Sequence, residues 1–124
     1  MTLDREDIAA LERIRRICLA RPGASEGAIQ GRPLFRVGRR RFAIFNGAGS
    51  PPRPRWDRSG RSLHFVADPA GDALGQDERF VASPHHGDRG WLSIRIDGDL
   101  DWVEVTELLD AAYRQVAPRH FPDG

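Results

Sequence analysis

Residues 34–45 read LFRVGRRRFAIF and predict a β-hairpin. Two short runs, Leu34 to Val37 and Arg41 to Phe45, alternate apolar with polar or small residues on either side of Gly38, which supplies the turn. The apolar members of this alternation are Phe35, Val37, Phe42 and Ile44. Because successive side chains of a strand point to opposite faces of a sheet, these four should face a core, and the arginines should face water or a ligand.

Three further segments predict strands around this hairpin. They are Ser25 to Gly31, Ser62 to Ala67 and Trp91 to Asp97. In the second segment Leu63 and Phe65 share one face and His64 lies on the other. In the third segment the same alternation places Ile94 opposite Trp91. The chain therefore predicts a sheet that has one apolar face.

Helices are predicted at both ends of the chain and once between strands. Asp4 to about Ala20 has apolar residues at steps of three and four, and Arg21-Pro22-Gly23 ends the run. Asp68-Pro69 opens a short helix through about Glu78. The last helix starts at Asp101, with Glu104 in the capping-box position, and ends before Pro118.

The order of these elements indicates the fold class. No strand–helix–strand alternation supports a parallel doubly wound sheet. The order predicts an α+β fold of two layers, in which an antiparallel sheet has helices packed on one face. A chain of 124 residues is long enough for one ordinary core, so residues 1–124 are expected to form a single domain.

Composition limits the cellular setting. No apolar run approaches the ~20 residues needed to cross a bilayer. The start of the chain, MTLDREDIAALERI, is acidic and amphipathic, which is typical of a helix rather than a signal peptide. The single cysteine, Cys18, excludes an internal disulfide. We expect a cytoplasmic protein that does not contact a membrane.

A net charge of +1 conceals two segments of opposite charge. Between Gly31 and Val66 nine arginines stand against Asp57 alone, a local charge of +8. Between Asp97 and Asp110 there are six acids and no base, a local charge of −6. Segregation of this kind creates charged patches that the overall charge does not reveal.

Several short motifs, taken in order, carry a resemblance to a known family. They are Leu19-Ala20-Arg21-Pro22-Gly23 with Glu26, Gly31-Arg32-Pro33-Leu34-Phe35-Arg36-Val37, Phe42-Ala43, Phe80, Pro84, His86-Gly87, Arg89-Gly90-Trp91, Asp101-Trp102, Leu108-Leu109, Tyr113 and Val116-Ala117-Pro118. In this set the chain resembles the MmcQ/YjbR family of small bacterial proteins. The resemblance implies a two-layer α+β fold similar to the type III secretion chaperone-like and frataxin-like (CyaY-like) arrangements. Members are commonly described as predicted double-wing DNA-binding proteins, with no firmly assigned catalytic residues.

The turn between Phe80 and Trp91, read FVASPHHGDRGW, allows three interpretations. A metal site would use His85 and His86, with or without Asp88, but adjacent strand residues point apart and a metal needs three or four converging ligands. A catalytic site could be drawn from Ser83, His85 and Asp88, but no nucleophile-elbow motif surrounds Ser83. The third interpretation is a structural corner, with Trp91 anchored in the core. A secondary prediction is that this turn borders a ligand groove through His86, Arg89 and Trp91. No cofactor, metal or catalytic residue is predicted.

The arginines upstream of this turn are the stronger functional candidates. Arginine side chains suit phosphate groups, and an aromatic side chain among them can stack on an exposed base. The predicted nucleic-acid-binding residues are Arg36, Arg39, Arg40, Arg41, Arg53, Arg55, Trp56, Arg58 and Arg61. The first hypothesis is a non-enzymatic protein that binds nucleic acid with weak sequence selectivity. The alternative is a protein- or peptide-binding module, either monomeric or homodimeric, whose basic patch meets an acidic partner. A third interpretation is a solvated hairpin, or a patch that pairs with the acidic Asp97–Asp110 segment of the same or a neighbouring chain.

Overall fold

The computed structural model describes residues 4–47, 61–67, 79–82 and 90–117 of the chain. Two helices and six strands lie within these ranges. In chain order they are α1 (Arg5–Leu19), β1 (Ala24–Ile29), β2 (Arg32–Val37), β3 (Arg40–Asn46), β4 (Ser62–Val66), β5 (Phe80–Ala82), β6 (Trp91–Arg95) and α2 (Trp102–Val116). The helix predicted from Asp68 to Glu78 lies outside the described residues.

The strands form one sheet in the order β1-β2-β3-β4-β6-β5, and every neighbouring pair is antiparallel. The first two hairpins turn in two residues each. Gln30 and Gly31 both have positive φ, at 51° and 78°, as a type I′ turn requires. Gly38 has φ 60° and stands between the cross-strand partners Val37 and Arg40. The predicted hairpin is confirmed, with strands that are longer than the sequence pattern indicated.

Both described helices pack on the same face of the sheet, which confirms the predicted α+β class. The main core joins apolar residues of α1 and α2 to those of the four central strands. Its fully buried members include Ile14, Cys18, Phe35, Phe42, Ala43, Phe45, Leu63, Val105 and Ala112. Asp4 caps α1 through a capping box with Asp7, and the side chain of Asp101 accepts a hydrogen bond from the backbone N–H of Val103 at the start of α2.

The opposite face of the sheet has a smaller apolar cluster, and one predicted core residue belongs to it. Leu34, Ile44 and Trp91 pack together there, each at most 6% exposed. The prediction that Ile44 shares the face of Phe42 is wrong, because Phe42 is an extra residue in β3. Phe35 pairs with Ala43 while the next residue, Arg36, pairs with Arg41. This β-bulge turns Phe42 toward the main core and leaves Ile44 on the other face.

The connections give the molecule two distinct ends. α1 begins beside Arg61, which precedes β4, and α2 begins just beyond β6. α2 then runs back along the sheet, so that Val116 in its last turn lies beside Val37 and Gly38 at the β2–β3 turn. The start of β1 pairs with Val37, so the end of α1 lies at this end as well. Both helices therefore start at one end of the sheet and finish at the hairpin end.

Candidate nucleic-acid interface

Four of the predicted arginines surround the tip of the β2–β3 hairpin, and all four are exposed. Arg39 lies in the turn itself, and Arg40 follows it opposite Val37. Arg36 and Arg41 are cross-strand partners, and Arg36 extends over β1, where its guanidinium carbon lies 3.4 Å from the position that a Cβ on Gly27 would take. We call these four residues the arginine tip.

None of the four makes an ion pair with any residue that the structure describes. Several other described arginines do make such pairs. Arg15 contacts Glu26 at 2.6 Å, Arg114 contacts Asp110 at 2.8 Å, and Arg21 contacts Asp110 at 3.4 Å. Asp110, the last acid of the Asp97–Asp110 segment, thus pairs with two arginines outside the arginine tip. Neutralisation of the tip by that segment is not seen within the described ranges.

A groove of about 540 Å³ lies between the arginine tip and the end of α2. Val37 and Val116 give it apolar walls, while Arg39 and Arg40 stand at its edge. Gly38 adds no side chain, and its backbone faces open space. The groove is open to solvent and joins an apolar surface directly to two cationic groups.

Arg61 was also predicted to bind nucleic acid, but the structure places it away from the arginine tip. Its side chain is 13% exposed and contacts three carboxylates at the start of α1. The Nε donates to Asp7 at 2.5 Å, and the terminal nitrogens lie 3.1 Å from Asp4 and 3.2 Å from Glu6. Although burial opposes its charge, these contacts raise the pKa of Arg61. Arg61 therefore ties α1 to the sheet and is left out of the candidate interface.

Of the remaining predicted site residues, only Trp91 can be placed. It is 6% exposed and packs in the cluster with Leu34 and Ile44, as a structural anchor does. This cluster is on the sheet face opposite the main core, and the turn that precedes Trp91 lies outside the described residues. The others lie outside the described residues, namely Arg53, Arg55, Trp56, Arg58, His86 and Arg89.

The end of the molecule opposite the arginine tip is acidic. Asp97 and Asp99 are exposed in the turn before α2, and the backbone N–H of Asp99 donates to Asp97 at 3.0 Å. Glu104, which the sequence placed in a capping box, instead accepts two hydrogen bonds from Arg79, at 2.7 and 2.9 Å. A shallow cleft of about 230 Å³ lies here, where Arg13 stacks over Trp102 at 5.1 Å.

Titratable groups in the interior are held in structural contacts. Ser62 and His64 lie 3.1 Å apart and are at most 1% exposed, so the sheet encloses this pair. Burial raises the pKa of the Cys18 thiol, which keeps it neutral. The described side chains contain no group of three or more His, Cys, Asp or Glu placed to share a metal ion. Neither described helix is long and apolar enough to cross a membrane.

Val116 is the residue of this surface that the sequence did not indicate. In the sequence it appeared within the family motif Val116-Ala117-Pro118, and in the structure it is half-buried. Only the return of α2 to the hairpin brings it beside Arg39 and Arg40. No local sequence signal records a contact between residues that are more than 70 positions apart.

Comparison with known proteins agrees with the fold and the earlier resemblance. A family model described as YjbR matches residues 19–115, which is most of the chain. The crystal structure of Deinococcus radiodurans protein DR2400, which contains a DUF419 domain, is similar with a TM-score of 0.64 and 19% identity. The alignment covers 91% of this chain and 82% of that one. A comparison with curated proteins gave no match.

Proposed function

The chain belongs to the YjbR family, and on the basis of its exposed arginine tip we propose that it is a non-enzymatic nucleic-acid-binding protein. The observation that carries the proposal is the absence of carboxylate partners around Arg36, Arg39, Arg40 and Arg41 within the described residues. Guanidinium groups stay protonated at neutral pH, so they suit binding of phosphates and not general-base chemistry. Binding is accordingly the function that this surface supports best.

The same surface supports weak sequence selectivity. Arginine contacts with phosphates position a nucleic acid but carry little information about its sequence. The arginine tip lies on two strands and a turn, and its side chains leave both faces of the hairpin. Such an arrangement can engage several phosphates of a flexible or curved backbone. Arg53, Arg55, Trp56 and Arg58 belong to the proposal as further contacts from the adjoining segment.

The first test compares two triple variants that remove the same charge. R39A/R40A/R41A removes three of the four arginines of the arginine tip, whereas R5A/R13A/R95A removes three exposed arginines of α1 and β6 that lie away from the hairpin end. We expect affinity for short duplex and single-stranded DNA at low salt to fall at least ten-fold in the first variant. The control should lose less than about three-fold, because it changes only the overall charge. Fluorescence polarisation measures both. Equal losses in the two variants, or no binding by the unmodified protein, would contradict the proposal.

The acidic end of the molecule favours a second candidate function, head-to-tail binding of an acidic protein surface. α2 is 15 residues long and so separates the acidic end from the arginine tip by about 22 Å. That distance exceeds twice the screening length at physiological salt, so the two ends of one chain do not neutralise each other. Each end is available to a second copy, and such a contact is heterologous.

Mass measurement in solution tests this second candidate. Light scattering at low salt should show dimers or longer chains that dissociate as salt rises. The double variant D97N/D99N should remove the self-association, since it neutralises two exposed acids of the acidic end. A protein that stays monomeric at low salt rejects the candidate. A salt-sensitive oligomer that ignores DNA would favour it over nucleic-acid binding.

A further inference from the structure

The groove beside the arginine tip combines two chemistries that a plain phosphate-binding surface does not need. Val37 and Val116 form its walls, and Arg39 and Arg40 stand at its edge. Exposed arginines on any convex surface would be enough to bind phosphates alone. An apolar hollow of about 540 Å³ directly beside two of them has room for an uncharged group attached to the phosphates.

The position of α2 decides which part of a ligand enters the groove. Val116 is the last residue of this helix, and the carbonyl groups at a helix C-terminus carry a partial negative charge. A phosphate placed against Val116 would be repelled by that charge. A flat, uncharged ring can rest on the valines, and the phosphates on either side of it can reach Arg39 and Arg40. A nucleotide base meets this description.

Resting on the proposed function, we propose that the groove receives an unstacked base, so that the ligand of this protein is single-stranded nucleic acid. In a duplex the bases are stacked and paired, and only their edges can be reached from the grooves. A single strand can turn a base outward onto an apolar or guanidinium surface. Valine walls offer no fixed hydrogen-bond donors, so the groove accepts any base.

The test compares three ligands with equal numbers of phosphates at the same salt concentration. They are a single-stranded DNA, a duplex of half its length, and a single strand of full length in which the central nucleotides are abasic. We expect the intact single strand to bind about five-fold more tightly than the abasic strand, which is at the low end of what base contacts contribute. The duplex should bind no better than the abasic strand.

A pair of matched variants connects this preference to the groove. V116Q replaces the apolar wall with a polar side chain, whereas V103Q makes the same change at an exposed position, 68% accessible, at the other end of α2. V116Q should remove the advantage of the intact strand over the abasic one, and V103Q should keep it. Thermal unfolding of both variants shows that each is folded.

The outcomes separate this inference from the function on which it rests. If the duplex or the abasic strand binds as tightly as the intact strand, the groove holds no base, and nucleic-acid binding by the arginine tip still stands. If V116Q keeps the preference, the base is held elsewhere and the inference is also overturned. If none of the three ligands binds at low salt, the proposed function fails and this inference fails with it.

Discussion

Asp7 has a fully buried ionisable side chain, 0% exposed, in a position where charge is expensive. Arg61 offsets that cost by donating to Asp7 at 2.5 Å while its other nitrogens reach Asp4 and Glu6. Asp7 also accepts the backbone N–H of Asp4 at 3.1 Å within the capping box. One arginine therefore holds the start of α1 against β4.

Replacing Arg61 by alanine should destabilise the protein by about 3 kcal/mol, because a buried carboxylate loses its charged partner. The free energy of unfolding in urea measures the change. Arg39→Ala is the matched control, and we expect it to change stability by less than about 0.5 kcal/mol, as is usual for an exposed side chain. If both variants were equally stable, Arg61 would not be structural and would return to the candidate interface.

At this scale the sequence could not separate one arginine from another. Arg61 and the residues of the arginine tip occupy the same basic segment and looked equivalent as phosphate ligands. The difference arises from Asp7, a partner 54 positions away, which only the folded chain brings within hydrogen-bonding distance. Cys18 differs from these arginines, because it lies within the predicted first helix and is buried there.

The β2–β3 hairpin is the element that presents the arginine tip, and its two-residue turn depends on Gly38. A φ of 60° at this position is unfavourable for residues that carry a Cβ. A Cβ at Gly38 would meet no atom within 4 Å, so backbone conformation is the only local cost of a substitution. A substitution at Gly38 therefore tests how much the backbone conformation of this turn contributes to the stability of the hairpin.

Gly38→Ala should destabilise the protein by about 1 to 2 kcal/mol through backbone strain. Gly98→Ala is the matched control, because Gly98 also faces open space but does not have a positive φ. Thermal or urea unfolding of the two variants measures the difference. A neutral result for Gly38→Ala would mean that the turn relaxes to another conformation, and the account of the hairpin would then need revision.

The same hairpin shows where pattern reasoning ends. Alternation and the turn glycine predicted the hairpin itself, because both signals are local. These signals could not predict the bulge. The run Phe42-Ala43-Ile44-Phe45 is apolar throughout, so it is compatible with the pairing register with or without a bulge. Across the bulge, Phe42 faces the main core while Ile44 packs with Leu34 and Trp91 on the other face. Register within an all-apolar run is decided by tertiary packing.

The whole molecule has a direction, because both helices start at the acidic end and finish at the hairpin end. Carboxylates at helix starts and arginines near helix ends each complement the helix dipole. Asp4 and Asp101 cap the two helices, and Arg16 and Arg114 lie in their last turns. Part of the charge segregation therefore stabilises the fold. The arginine tip is not explained in this way, because its residues belong to strands and a turn.

Fold class could be predicted from the sequence more completely than the site. Periodicity, caps and turn residues indicated an antiparallel sheet with helices on one face. The site depends on which arginines have no carboxylate partner within the described residues. It also depends on the packing that brings Val37 and Val116 to the same groove. Both follow from long-range packing, for which a single sequence has no direct signal.

The central claim is that the arginine tip binds phosphates, and a salt titration tests it most directly. The affinity for single-stranded DNA should fall with a slope of about −3 or steeper in log affinity against log salt, if four arginines each neutralise one phosphate. In R39A/R40A/R41A the slope should become shallower by about 2 units. An unchanged slope in this variant, or a slope near zero in the unmodified protein, would contradict the claim.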